Sequence, residues 1–146
     1  MTRILRLAAL VACIAPAALA QDFAPISGSD VRLEDFIWSR RPVVVFADSP
    51  ADPAFAEQMR ALEAGWPALA ARDVVVITDT DPAARGAVRL ALRPHGFSLV
   101  LIEKDGSIAQ RRPTPRDARE ISQAIDKMPI RREEIRTQQG GRTPGL

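Results

Sequence analysis

Cysteine is the scarcest reactive residue in this chain: it occurs once, at Cys13, inside an N-terminal segment expected to be removed. A CxxC pair, an internal disulfide and a cysteine-rich metal site are therefore excluded. Tyrosine is absent and aromatics make up only 5% of the residues, which leaves no evident stacking platform for nucleic acid, and no nucleic-acid partner is predicted. His95 is the only histidine, so it has no second His or Cys with which to share a metal. No motif for a cofactor is recognisable, and none is predicted.

Long hydrophobic runs are also missing. The longest, Leu7 to Leu19, is interrupted by Pro16 and falls short of the roughly 18 to 20 residues that span a bilayer. With Arg3 and Arg6 before it and Ala18-Leu19-Ala20 after it, the segment reads as a signal peptide, residues 1–20, cleaved before Gln21. Leu10-Val11-Ala12-Cys13 is the rival, a lipobox that would anchor the protein through Cys13. It leaves only Leu7 to Ala9 as a hydrophobic core, whereas the Ala20 site leaves one of ordinary length. The expected product is periplasmic or secreted, with no transmembrane helix in the mature chain.

Removal of Arg3 and Arg6 would take away the whole formal charge of +2. What remains is uneven: residues 21–103 carry 8 basic and 12 acidic side chains, and residues 104–146 carry 10 basic and 6 acidic. A basic C-terminal part on an acidic body could attract an anionic partner, or could be a solvated helix face and tail. Length fits a single domain, residues 21–136, followed by a flexible tail, residues 137–146, which lacks apolar periodicity.

Three places pair a capping side chain with proline and predict helix starts: Asp52-Pro53, Asp81-Pro82 and Thr114-Pro115, the last with Asp117 as a capping-box partner. Behind the first, Phe55, Met59, Leu62 and Trp66 form a core stripe; behind the third, Ala118, Ile121, Ile125 and Met128 do. The second helix, about 82–92, is weakened by Gly86 and ended by Pro94. Val43 to Ala47, Val74 to Ile77 and Ser98 to Ile102 read as buried central strands. Asp105-Gly106 turns the last of these into a polar edge strand, Ile108 to Arg111. The order is β-α-β-α-β-β-α, preceded by a possible further element within Val31 to Arg41. That is a three-layer α/β domain with a mixed central sheet, of thioredoxin-like type; a flavodoxin-like domain shares the alternation but not the hairpin.

Leu33 to Arg41, the Leu99 to Gly106 strand and turn, and the closing Ile125 to Glu133 segment together resemble a bacterial thioredoxin-like family of unknown function. That family is related to the DUDES domains of secreted animal matrix proteins. The resemblance covers about Leu33 to Glu134 and implies the fold, an exported habitat and kinship to peroxiredoxins, with no established activity.

Against the general thioredoxin pattern, the two redox cysteines would fall near Pro50 and Pro53, and the cis-proline at Phe97. Without a thiolate at the helix start, thioredoxin and peroxiredoxin catalysis lose their nucleophile, and Ser49 has neither the acidity nor the redox chemistry to replace it. Asp48 and Asp52 follow one strand, Asp79 and Asp81 the next, at the edge where α/β sheets usually bind ligands. Such carboxylates suit a hard cation, or serve as caps; no metal site is predicted. Val74 to Asp81 is also similar to the strand-DxD motif of haloacid-dehalogenase phosphatases, which implies Asp79 as nucleophile and Asp81 as acid/base, though Pro82-Ala83 departs from it.

His95 reads as a loop residue close to the Phe97 position. Trp38 is expected to pack on the sheet and Arg41 to pair with an acidic group, while Arg131 and Arg132 could meet an anion or lie on an exposed helix face. The candidate ligand- or partner-binding residues are therefore Arg41, Asp48, Ser49, Asp79, Asp81, His95, Arg131 and Arg132, with no catalytic residue assigned. A non-catalytic binding or accessory protein of the cell envelope, with a protein or small-molecule partner, is the expected function. The alternative is an enzyme, either a thiol-independent relative of peroxiredoxins or a metal-assisted hydrolase using the strand-end aspartates.

Overall fold

A computed structural model describes residues 21–141. The signal-peptide segment and Cys13 lie outside those residues, as do the last five positions. The β-branched runs form the centre of a five-stranded sheet in the order β1-β3-β2-β4-β5. Its strands are β1 (Ile26–Ser27), β2 (Arg41–Phe46), β3 (Val74–Asp79), β4 (Ser98–Ile102) and β5 (Ile108–Arg112). β3 runs parallel to β1 and β2, whereas β4 is antiparallel to β2 and β5 to β4, which makes the sheet mixed.

Alternation along β2 sends Val43 and Val45 to one face and Val44 and Phe46 to the other. The first face, with Leu99 and Leu101, packs against Leu62 of α1 (Pro53–Ala64), Leu69 of α2 (Trp66–Ala70) and Ile121 and Ile125 of α4 (Ala118–Asp126). The second, with Ile77, Val100 and Ile102, packs against Val88 and Leu92 of α3 (Ala87–Leu92). All six residues of β2 are buried, as expected of a strand covered on both faces. Gly65 separates α1 from α2 at a point of close approach: a β-carbon there would overlap that of Ala118 in α4.

Local capping explains where helices start, and the structure moves two of the predicted starts. Asp52 caps α1 as expected, accepting from the Ala54 N–H at 2.8 Å with Pro53 in the first turn. Asp81 caps only a 3-10 turn, Pro82–Ala84; Arg85 then turns left-handed (φ 50°), and α3 begins at Ala87 after Gly86. At the fourth helix Thr114 is not the cap. Asp117 is, accepting from the Glu120 N–H at 2.7 Å. The predicted stripe Ala118, Ile121, Ile125 and Met128 is buried throughout.

Three further elements complete the described residues: β1, a 3-10 turn at Leu33–Phe36, and α5 (Pro129–Gly140). α5 continues through 137–140, so the first residues of the segment predicted as a tail are helical. Trp38 does not pack on the sheet. Its backbone is left-handed (φ 64°), its N–H donates to the Lys104 carbonyl at 2.6 Å, and the residue is 68% exposed.

Candidate functional site

Strand register sorts the predicted residues between two opposite edges of the sheet. Phe46 pairs with Asp79 on one side and Ser98 on the other, so Asp48, Ser49, Asp79, Asp81 and His95 gather at the edge where β2 and β3 end. Arg41, which pairs with Val74 at the start of both strands, lies at the other edge. Arg131 joins it there, while Arg132 is exposed on α5.

At the strand-end edge the polar groups are mostly committed to shaping the chain. Ser49 Oγ accepts from the Ala51 N–H at 3.1 Å, and Asp52 N–H returns to the Ser49 carbonyl, so the serine builds the turn before α1. Asp48 is exposed. The carboxylate of Asp79 is held by Arg89, whose Nε and Nη2 lie 3.1 and 2.9 Å from Oδ1. The same Nη2 donates to the carbonyls of Ala47 and Asp79, and the guanidinium sits 5.3 Å above the Phe46 ring. Asp79 and Arg89 thus join β2, β3 and α3, and Asp81 accepts from the Ala84 N–H. Among the described residues no group of three His, Cys, Asp or Glu side chains is placed to hold one metal ion. His95 is exposed and lines a shallow concavity of about 390 Å³ with Arg93, Phe97 and Arg111.

The opposite edge carries a network that sequence reasoning largely missed. Arg41 has no exposed surface; its Nε donates to Glu103 Oε1 at 2.8 Å and its Nη1 to the Arg72 carbonyl at 3.0 Å. Its Nη2 lies 3.2 Å from Glu134 Oε2, close enough for ion pairing but without hydrogen-bond alignment. Lys104 bridges Asp73 and Glu134, each at 2.7 Å. Arg72 takes Asp126 with two hydrogen bonds, and Arg131 lies between Asp126 and Glu134. Four cations face four carboxylates, so the cluster is neutral. The expected acidic partner of Arg41 is therefore present, as Glu103 just after β4 and Glu134 on α5. The Leu33 to Arg41, Leu99 to Gly106 and Ile125 to Glu133 segments that carry the family resemblance each contribute residues here.

These contacts set the titration of the cluster. Burial pushes Glu134 up, but the Lys104 hydrogen bond with the Arg41 and Lys104 charges outweighs it and holds the carboxyl below its ordinary 4.5. Asp126 is lowered, chiefly by its hydrogen bond from Arg72. Burial works against the Lys104 ammonium, yet Asp73 and Glu134 raise it above 10.5. A depressed carboxylate contributes stability above its unfolded value and loses it as pH falls through the folded one; a raised lysine contributes below its unfolded value and loses it as pH rises through the folded one. These groups thus predict a melting-temperature plateau between about pH 5 and pH 10, with a decline on the acid side. Glu134→Gln should flatten that acid decline in a series of thermal melts; an unchanged acid limb would mean that Glu134 does not couple to folding.

No curated protein matches the chain. Its fold is similar to that of chloroplastic thioredoxin z, with a TM-score of 0.55 and 23% identity over 73% of this chain and 94% of that one. It is similar also to reduced desulfothioredoxin from Desulfovibrio vulgaris Hildenborough, with a TM-score of 0.54 and 17% identity over 74% and 100%. The reduced 2-Cys peroxiredoxin of Plasmodium vivax gives a TM-score of 0.54 and 16% identity over 70% and 84%. At such identities the likeness is one of fold, here a thioredoxin-like α/β sheet. Residues 32–134, most of the chain and all of its ion cluster, match the family described as a domain of unknown function (DUF4174), and the protein belongs to that family.

Proposed function

We propose that this protein is an exported, redox-silent binding or accessory module of the bacterial cell envelope, with DUDES domains among its wider kin. The observation that carries this reading is the state of the strand-end edge: Ser49 and Asp52 close the turn before α1 with their own hydrogen bonds, and no cysteine follows Cys13. A thioredoxin-like frame lacking its nucleophile keeps a stable scaffold with surfaces free for partners. Export is supported by the Arg3-to-Ala20 pattern.

The hydrolase alternative finds its nucleophile, Asp79, engaged by Arg89. Thermal unfolding against divalent cations, phosphates, nucleotides and sugars separates the two readings. A ligand at about a hundred times its dissociation constant adds about 2.7 kcal/mol, a readable shift of several degrees for a domain of this size. No shift with any of them, together with a discrete protein adduct after crosslinking in intact cells, is the expected result. Turnover that disappears in Asp79→Asn would overturn it. Mass spectrometry of the protein from the envelope tests processing: a Gln21 terminus supports cleavage, a lipidated Cys13 supports anchoring, and an intact Met1 overturns both, while recovery from the cytoplasm alone overturns export.

A further inference from the structure

The sheet ends on β5, and no strand covers its outer edge among the described residues. Alternate N–H and C=O groups of Ile108–Arg112 therefore point outward along about 17 Å of extended chain. Natural proteins guard such edges, and this one carries two arginines and no carboxylate.

Register assigns the faces of β5. Gln110 and Arg112 sit opposite Leu101 and Leu99 and so face α4; Arg111 and Ile108 sit opposite Val100 and Ile102 and face the α3 side. Long polar side chains on the α4 side do not fill the space between strand and helix. A groove of about 390 Å³ remains there, with Leu99, Leu101, Ile121 and Ala124 in its floor. It continues past Gln110 and Lys127 into a second hollow of about 350 Å³ that reaches Met128.

The rim is cationic at the first hollow, whereas the second sets Glu103 and Asp105 beside Lys127. Arg112, Arg116 and Lys127 line the first hollow with one carboxylate, Glu120, which stands 3.7 Å from Arg116. Arg112 and Lys127 have no ion-pair partner among the described residues. On the other face of β5, Ile108 is 50% exposed. An added strand would thus meet positive charge on its α4 side, and on its α3 side the exposed aliphatic Ile108 with Arg111 further along the strand.

We propose that β5 receives an extended, acidic segment of another protein as an added sixth strand, with carboxylates toward Arg112 and Lys127 and apolar residues toward Ile108. Main-chain hydrogen bonds would supply affinity, and the alternating side chains would supply selection. The charge pattern argues against a second copy in this place, because pairing two β5 edges brings four arginines together with no carboxylate on either strand. This proposal rests on the binding reading above and names the surface and the partner chemistry.

The probe is a capped, fluorescently labelled octapeptide of alternating glutamate and valine, titrated into the protein by polarisation. Saturable one-to-one binding is expected, with little binding when lysine replaces glutamate. N-methylation of one alternate set of amides should weaken binding by about tenfold or more while the other set is tolerated, because only one set faces β5. Arg112→Glu and Lys127→Glu should each cost about tenfold, and Arg60→Glu, exposed on α1, should cost nothing. Thermal melts confirm that these surface variants remain folded.

Equal tolerance of both N-methylated sets would reduce the contact to bulk charge and overturn the strand addition. Tighter binding of an oligothymidylate than of the peptide would do the same, as would self-association abolished by Arg112→Glu. No peptide binding alongside a persistent crosslinked partner in cells removes this surface but leaves the binding reading intact; loss of both removes the reading itself.

Discussion

Arg41→Ala costs about 3–5 kcal/mol of folding stability, because it strands Glu103 as a buried carboxylate without its guanidinium partner. Arg41 is wholly buried, and Glu103, 62 residues later in the chain, receives its Nε. The loss also removes the hydrogen bond to the Arg72 carbonyl and one of the charges facing Glu134. Arg41→Lys keeps the charge but not the fork that reaches Glu103 and Arg72 together, so it should lie between wild type and alanine. The decisive comparison is Arg41→Met with Glu103→Leu. Removing the buried pair together spares the desolvated charge, so the double variant should be more stable than Arg41→Met alone. Denaturant midpoints at an unchanged slope measure all four proteins. A loss below about 1 kcal/mol in Arg41→Ala would show that water solvates Glu103 when its partner is gone.

Phe46→Ala is expected to cost about 3–5 kcal/mol, by a different route. The ring has no exposed surface, and it packs with Val44, Ile77, Val88 and Val100 under α3. Removing it leaves a cavity beneath Arg89, whose guanidinium lies over the ring while holding Asp79 and the Ala47 carbonyl. Phe46→Leu retains most of the apolar volume and should lose far less. Urea unfolding read by circular dichroism checks both. Equal losses would mean that the aromatic face itself, through Arg89, matters more than the volume it fills.

Most of the sheet was legible because its signal is local. Val43 to Phe46 and Val74 to Ile77 carry runs of branched residues that suit only a doubly covered strand, and the Asp52-Pro53 cap satisfies its helix within two residues. Thr114 misled because the helix start is decided from far away. Gln58, buried in α1, donates to the Arg116 carbonyl and accepts the Arg116 N–H, both at 2.8 Å, which holds that residue out of the helix until Asp117. Nothing near Thr114 announces a partner 58 residues distant. That the helix face of Arg131 and Arg132 belongs to a separate α5 is illegible for the opposite reason: Arg131, Arg132, Glu133 and Glu134 interrupt any apolar stripe, and its anchorage is ionic, through Glu134 and Arg131.

The functional candidates divide along the same line. That Arg41 would find an acid was visible from its place just before an apolar run; that Glu103 and Glu134 would supply it was not. Asp79 had the position of a strand-end ligand, but Arg89, ten residues on, claims it. Trp38 followed the general rule that large apolar residues pack inward, and the left-handed turn secured by Lys104 overrides that rule.

The two indoles, finally, form an optical pair with different surroundings. Trp38 stands in water and is open to collisional quenchers such as iodide. Trp66 is half-buried, edge-on to Phe23 at 5.4 Å, and its Nε1 donates to the Gln21 carbonyl at 2.7 Å. Emission from Trp66 therefore reports whether the chain at Gln21 and Phe23 is seated against α2, and a Trp38→Phe protein would isolate that signal against a dark background.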